Sequence, residues 1–155
     1  MIKICFVCHG NICRSPMAEF IMKDIAERGG DSEEFYIESR ATHTDEIWNG
    51  TGSHIYPPAQ DIMRKKHVKF DGGKRAELLD RRDFNRFDYF IGMDRENLRA
   101  MQRILRTDEK IHLLLDFTEE GGYVSDPWYT RDFELAYSDI KRGCEALYNK
   151  LTQEG

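Results

Sequence analysis

Residues 2–18 read Ile-Lys-Ile-Cys-Phe-Val-Cys-His-Gly-Asn-Ile-Cys-Arg-Ser-Pro-Met-Ala, and no other stretch limits the fold as tightly. Ile2, Ile4, Phe6 and Val7 form a short β-prone run that ends at Cys8. A loop with one glycine, residues 9–14, follows. Then comes a helix start, with Ser15 as cap candidate, Pro16 at the first helical position, and apolar Met17, Phe20, Ile21 and Ile25 behind it. A strand that turns straight into a helix is half of a β-α-β unit, which points to a parallel sheet. The same junction is an anion cradle. Loop and first-turn N–H groups point inward, and the helix dipole favours negative charge.

Cys8 and Arg14 stand at the two lips of that cradle. A thiol attacks well only once ionised, and a helix N-terminus with a nearby guanidinium lowers a cysteine pKa from about 8.5 to roughly 3.5–7.5. Arginine grips two phosphoryl oxygens as a planar fork, which lysine cannot do. Gly10 lets the backbone turn with its amides inward, and Asn11 tolerates a left-handed conformation. Ser15 is placed to donate to the sulfur. The Gly-Lys-Ser/Thr ending of a nucleotide-binding loop is missing. Read from the residues alone, the bland alternative is a buried strand cysteine before an ordinary loop.

Residues 7–16, Val-Cys-His-Gly-Asn-Ile-Cys-Arg-Ser-Pro, resemble the signature of the low-molecular-weight protein tyrosine phosphatases. That resemblance implies an α/β fold of three layers: a four-stranded parallel sheet with helices on both faces, one domain over residues 1–155. It implies hydrolysis of phosphotyrosine and aryl phosphate monoesters through a phosphocysteine, with inorganic phosphate as product and no metal or cofactor. Cys8 is then the nucleophile. Arg14 and the loop residues His9, Gly10, Asn11, Ile12, Cys13 and Ser15 hold the phosphate. Asp126, in Asp126-Pro127-Trp128-Tyr129, is the general acid. Asp-Pro alone is a common turn starter; together with the Cys8 loop it gains meaning. Ser39 and His67 support the loop, His67 through Asn11. Trp128, Tyr129 and Trp48 line the cleft, although the spacing from Ser39 to Trp48 departs from the usual pattern. Cys8 and Cys13 can pair in a reversible disulfide, or Cys13 simply fills space.

A net charge of −5 gives no global reason for a nucleic-acid or membrane partner, so a phosphate must be drawn by a local positive site. No apolar run approaches the ~18 residues of a membrane span. Residues 2–7 are too short for a secretory signal, and Lys3 interrupts them, so a cytoplasmic, reducing location is expected. Cys5 and Cys8 form a Cys-x-x-Cys, but no second Cys or His pair stands at zinc spacing. Cys144 falls on the apolar stripe of the last helix.

Further along, the pattern predicts strands over residues 35–39, 88–93 and 111–117. It predicts helices over 57–66, 95–105 with Asp94 as cap, and 132–152. Residues 40–56 read as a long loop, and 75–87 as a short helix with a connector. Two other activities fit parts of the pattern. A thioredoxin-coupled arsenate reductase needs further accessible cysteines, and none lies between Arg14 and Cys144. A phosphate-binding module without turnover needs neither Cys8 nor Asp126. A related branch of the resembled family removes phosphate from arginine.

Overall fold

The computed structural model describes residues 1–153, so the last two residues of the expected domain lie outside it. Four parallel strands, β1 (Ile2–Cys8), β2 (Phe35–Ala41), β5 (Tyr89–Gly92) and β6 (Ile111–Leu113), form the main sheet in the order β2-β1-β5-β6. A two-residue hairpin, β3 (Ile47–Trp48) with β4 (Thr51–Gly52), stands apart. The helices are α1 (Arg14–Arg28), α2 (Pro57–Lys65), α3 (Arg95–Leu105), α4 (Pro127–Thr130) and α5 (Phe133–Gln153).

Alternation along β1 divides the interior in two. Ile4, Phe6 and Cys8 face a core built with Met17, Phe20 and Ile21 of α1 and Ile140, Cys144 and Leu147 of α5. Cys5 and Val7 face a second core with Phe90, Phe87, and Met101 and Leu105 of α3. A central strand covered on both faces needs apolar residues at successive positions, and residues 4–8 supply them. The three-layer expectation is met. The chain leaves β1 toward β2 on one side and returns to pair β5 on the other. The carboxyl end of β1 is thus a topological switch point, where open α/β sheets place their ligands.

Three expected elements differ. The fourth strand stops at Leu113, and residues 114–117 coil into a 3-10 turn. Leu114 and Leu115 are apolar because they enter the α1–α5 core, not because they extend the ladder. Residues 75–87 hold a 3-10 turn over Arg81–Asn85, closed by a reciprocal Asp80–Asp83 capping box, and no α-helix. The loop 40–56 contains the hairpin.

The hairpin braces the segment after it. Ser53 O accepts from Ala76 N at 2.8 Å, and His54 bridges to Arg75. A Cβ on Gly52 would lie 1.9 Å from Ala76 O, a backbone atom that cannot step aside. Gly52→Ala is therefore expected to cost about 1–3 kcal/mol, the usual range for overpacking. Urea unfolding of the variant checks this; an unchanged midpoint would mean the two backbones can part freely.

Candidate active site

Helix α1 starts at Arg14, two residues earlier than the cap reading allowed, with Cys13 at the cap and no side-chain cap bond. Ser15 is otherwise engaged. Its Oγ lies 3.0 Å from Cys8 Sγ, and its backbone N–H donates to that sulfur at 3.4 Å. Asn11 Nδ2 donates to Ser15 Oγ at 2.7 Å, which leaves the serine proton free to turn toward the sulfur. Asn11 is left-handed at φ 60°. The carbonyls of Cys8, His9 and Ile12 accept from Thr42, His43 and Tyr56 amides behind the loop. Among the described residues, the amides of Gly10, Asn11, Ile12 and Cys13 meet no acceptor. The loop thus turns its oxygens outward and keeps its donors for an anion.

Asn11 holds that shape from inside. Its Nδ2 also donates to Ser39 Oγ at 2.9 Å, and its Oδ1 accepts from Glu77 N at 3.0 Å and Lys74 Nζ at 3.1 Å. Ser39 Oγ donates onward to Glu19 Oε1 at 2.6 Å. Ser39 contacts Asn11 directly. His67 does not: it is exposed past the end of α2, at φ 60°, with no bond to Asn11. Lys74 fills the position expected of it. Burial lowers the Lys74 pKa, with Glu19 and Glu77 opposing. Nothing local in the sequence marks Lys74, since its contact with Asn11 spans 63 residues.

Arg14 is 3% exposed. Its Nη1 donates to Asp94 Oδ2 at 2.7 Å and to Val124 O at 2.8 Å, while its Nη2 lies 3.5 Å from Asp126 Oδ2. Burial disfavours the guanidinium charge, but Cys8, Asp94 and Asp126 outweigh it and raise the Arg14 pKa. Asp94 caps α3 through a reciprocal box with Asn97. Asp126 caps α4, its Oδ1 accepting from Trp128 N at 3.0 Å. One carboxylate oxygen is thus fixed by the backbone, and the other faces the site. Cys8, Arg14 and Asp126 line one cavity of about 340 Å³, together with His9, Gly10, Ile12, Cys13, Trp128 and Tyr129.

Trp48 is absent from that lining and is 71% exposed at the hairpin tip. The expectation that it walls the cleft is corrected. The residues just before it, Asp45 and Glu46, line the cavity instead. His9 Nε2 lies 2.9 Å from Asp45 Oδ2, and its ring stacks on His43 at 4.0 Å. The bond from His9 lowers the Asp45 pKa.

The profile of the low molecular weight phosphotyrosine protein phosphatase family matches residues 3–155. The chain belongs to that family. The low molecular weight protein-tyrosine-phosphatase YfkJ of Bacillus subtilis is 37% identical over 158 residues, covering 99% of this chain and 98% of that protein. The crystal structure of YfkJ superposes with a TM-score of 0.90 at 36% identity, covering 99% and 96% of the two chains. The Streptococcus pyogenes low molecular weight protein tyrosine phosphatase gives 0.85 at 42% identity, over 97% and 93%. The chain is thus a cysteine-dependent protein-tyrosine phosphatase. No helix among its described residues is long and apolar enough to cross a membrane.

All four cysteines of the phosphatase are unpaired and buried. Burial raises the Cys13 pKa, and the nearby Cys8 and Asp126 raise it further. Burial likewise raises those of Cys5 and Cys144. Cys5 and Cys144 are 0% exposed, so neither is open to resolve a bond formed at Cys8, as a reductase would need. Lys74→Met removes one of the two donors to Asn11 Oδ1. It is expected to lower kcat/KM about 10- to 100-fold, because small displacements of a positioned loop are costly. Steady-state kinetics check this beside Lys74→Arg, which should recover part of the loss. Equal kinetics for all three proteins would mean the loop holds without the amine.

Proposed function

We propose that the phosphatase hydrolyses phosphotyrosine in proteins, or small aryl phosphates, with Cys8, Arg14 and Asp126 carrying the chemistry. Cys8 thiolate attacks phosphorus in line while the P–O bond to the phenol breaks, and Asp126 gives its proton to the departing oxygen. Arg14 and the inward amides of the loop hold the three equatorial oxygens. Ser15 donates to the sulfur as it regains charge in the second step. Water then attacks phosphorus, Asp126 takes its proton, the S–P bond breaks and phosphate leaves. Ser39 and Lys74 position the loop through Asn11. The chain works as one domain in a reducing, cytoplasmic setting, where Cys8 stays a free thiol.

The observation that carries this reading is the meeting of Asp126 and Cys8 at Arg14. Asp126 Oδ2 lies 3.5 Å from Arg14 Nη2, within reach of a leaving group on a phosphate seated over the sulfur. Trp128 and Tyr129 rise beside the acid, 42% and 81% exposed, as surfaces for a phenyl ring. Cys8 is only 3% exposed, which favours a long, flat phenyl spacer over a short seryl one.

The test compares phosphotyrosine, phosphoserine and phosphoarginine peptides of one sequence. Phosphotyrosine is expected to lead phosphoserine by about 100-fold or more in kcat/KM, in the range set by loss of specific contacts. A faster phosphoarginine peptide overturns the substrate assignment. Arg14 and the amides neutralise the phosphoryl charge without help, so excess EDTA is expected to leave turnover unchanged. Loss of activity restored by a divalent cation overturns that part.

A further inference from the structure

Helix α3 carries Arg95, Arg99 and Arg103 at i, i+4 and i+8, with Arg106 at its C-cap. The first three fall within about 80° of one another around the axis, and counted to Arg106 the four span roughly 16 Å along it. All four are exposed. Among the described residues, none has a carboxylate within 4 Å; the nearest aromatic partner is Tyr123, its ring 5.9 Å from the Arg95 guanidinium. Many exposed arginines elsewhere are paired, as Arg28 is with Asp24, Arg82 with Asp80 and Arg142 with Glu120; Arg75, Arg81 and Arg131 also lack a carboxylate among the described residues but stand singly, not as a stripe along one helix. The chain has carboxylates to spare, 28 against 23 basic side chains. Like charges at i, i+4 destabilise a helix. The dipole accounts for Arg103 and Arg106 near the C-terminus but opposes Arg95 at the first position.

The stripe begins at the pocket. Asp94 caps α3 while holding Arg14, and Glu96 and Asn97 of its first turn line the cavity. The rim there is acidic, with Asp45, Glu46 and Glu96. A substrate chain leaving the pocket therefore crosses a negative ring and then meets a positive track. We propose that this track is a docking strip for an acidic segment of the phosphoprotein substrate, set off by a few residues from the phosphotyrosine. The proposal rests on the phosphatase reading above. Sixteen ångströms matches about five residues of extended chain. The negative rim and the net charge of −5 work against a broad polyanion such as RNA or an anionic bilayer, and favour a narrow polypeptide.

The test uses the full chain and the variant Arg99→Glu/Arg103→Glu, whose two positions are exposed and lie outside the cavity. Substrates are p-nitrophenyl phosphate, a phosphotyrosine peptide with neutral flanks, and peptides bearing four Asp/Glu after a three-residue neutral spacer on either side. At low salt the variant is expected to lose about 10-fold in kcat/KM on at least one acidic peptide, the scale of a few exposed ion pairs reversed. It should match the parent on p-nitrophenyl phosphate and on the neutral peptide. Added salt should erase the difference. Equal kinetics on the acidic and neutral peptides overturn the strip. So does loss of binding to phosphatidylserine vesicles or poly(U) with no peptide discrimination, which assigns the face to another anion. Failure of the parent on p-nitrophenyl phosphate overturns the phosphatase reading itself, an outcome distinct from the others.

Discussion

Cys8→Ser is expected to reduce aryl phosphate turnover by on the order of 10⁴-fold or more, the scale seen when a covalent nucleophile is removed. The change is small in volume, one sulfur to oxygen, at a residue that is 3% exposed, so folding should survive. The chemistry should not. A serine hydroxyl stays protonated where a thiol ionises, and among the described residues its one side-chain hydrogen-bond partner is Ser15, itself a hydroxyl, 3.0 Å from the sulfur in the parent. The phosphate cradle depends on Arg14, the loop amides and the Asn11 network, which meets Sγ only through Ser15 and is otherwise anchored on Ser39, Lys74 and Glu77. The variant should therefore still bind inorganic phosphate and phosphotyrosine peptide, measured by calorimetry, while releasing no phenol. Turnover within tenfold of the parent would falsify Cys8 as nucleophile. Lost binding with intact folding would show that the sulfur itself shapes the cradle.

The sequence made the fold legible where local chemistry and global packing agree. The alternation of short strands with helices leads to a parallel sheet. Asp94 capping α3 was readable because cap, first turn and apolar spacing all lie within twelve residues, and the bonds to Asn97 bear it out. The 111–117 run misled because a continuous apolar segment reads the same in a buried strand as in a strand that turns into the core. The start of α1 shifted because Ser15 has two possible uses, and the sulfur claims it over the helix cap. In the site, Cys8 and Arg14 share one loop, so spacing alone brings them together. The inner support does not work that way. His67 was expected at Asn11 because its position matches the histidine of the resembled family. The partner is instead Lys74, brought in by a hairpin brace that no short pattern encodes. Trp48 failed for the same reason: the hairpin, invisible as a two-residue ladder, sends it outward.

Asp126→Asn is expected to slow hydrolysis of phenyl phosphate and phosphotyrosine by about 100- to 1,000-fold, within the range for a lost general acid. The substitution is nearly isosteric. The asparagine Oδ1 can still accept from Trp128 N, so the α4 cap and the aromatic wall stay in place. What disappears is the proton. The loss should therefore scale with the leaving group: large for phenol, only a few-fold for a dinitrophenol that departs without help. A plot of log kcat/KM against leaving-group pKa should steepen in the variant, and equal losses across the series would exclude Asp126 as the acid. A second consequence follows from charge. Asp126 Oδ2 lies 3.5 Å from Arg14 Nη2, so in the parent it competes with an incoming anion for that guanidinium. Removing it leaves Asp94 as the one carboxylate on Arg14 among the described residues, and the cradle becomes more positive. Competitive inhibition by inorganic phosphate is then expected to tighten a few-fold while turnover falls. A merely structural role for Asp126 predicts the opposite pairing, since a collapsed loop would weaken phosphate binding and catalysis together.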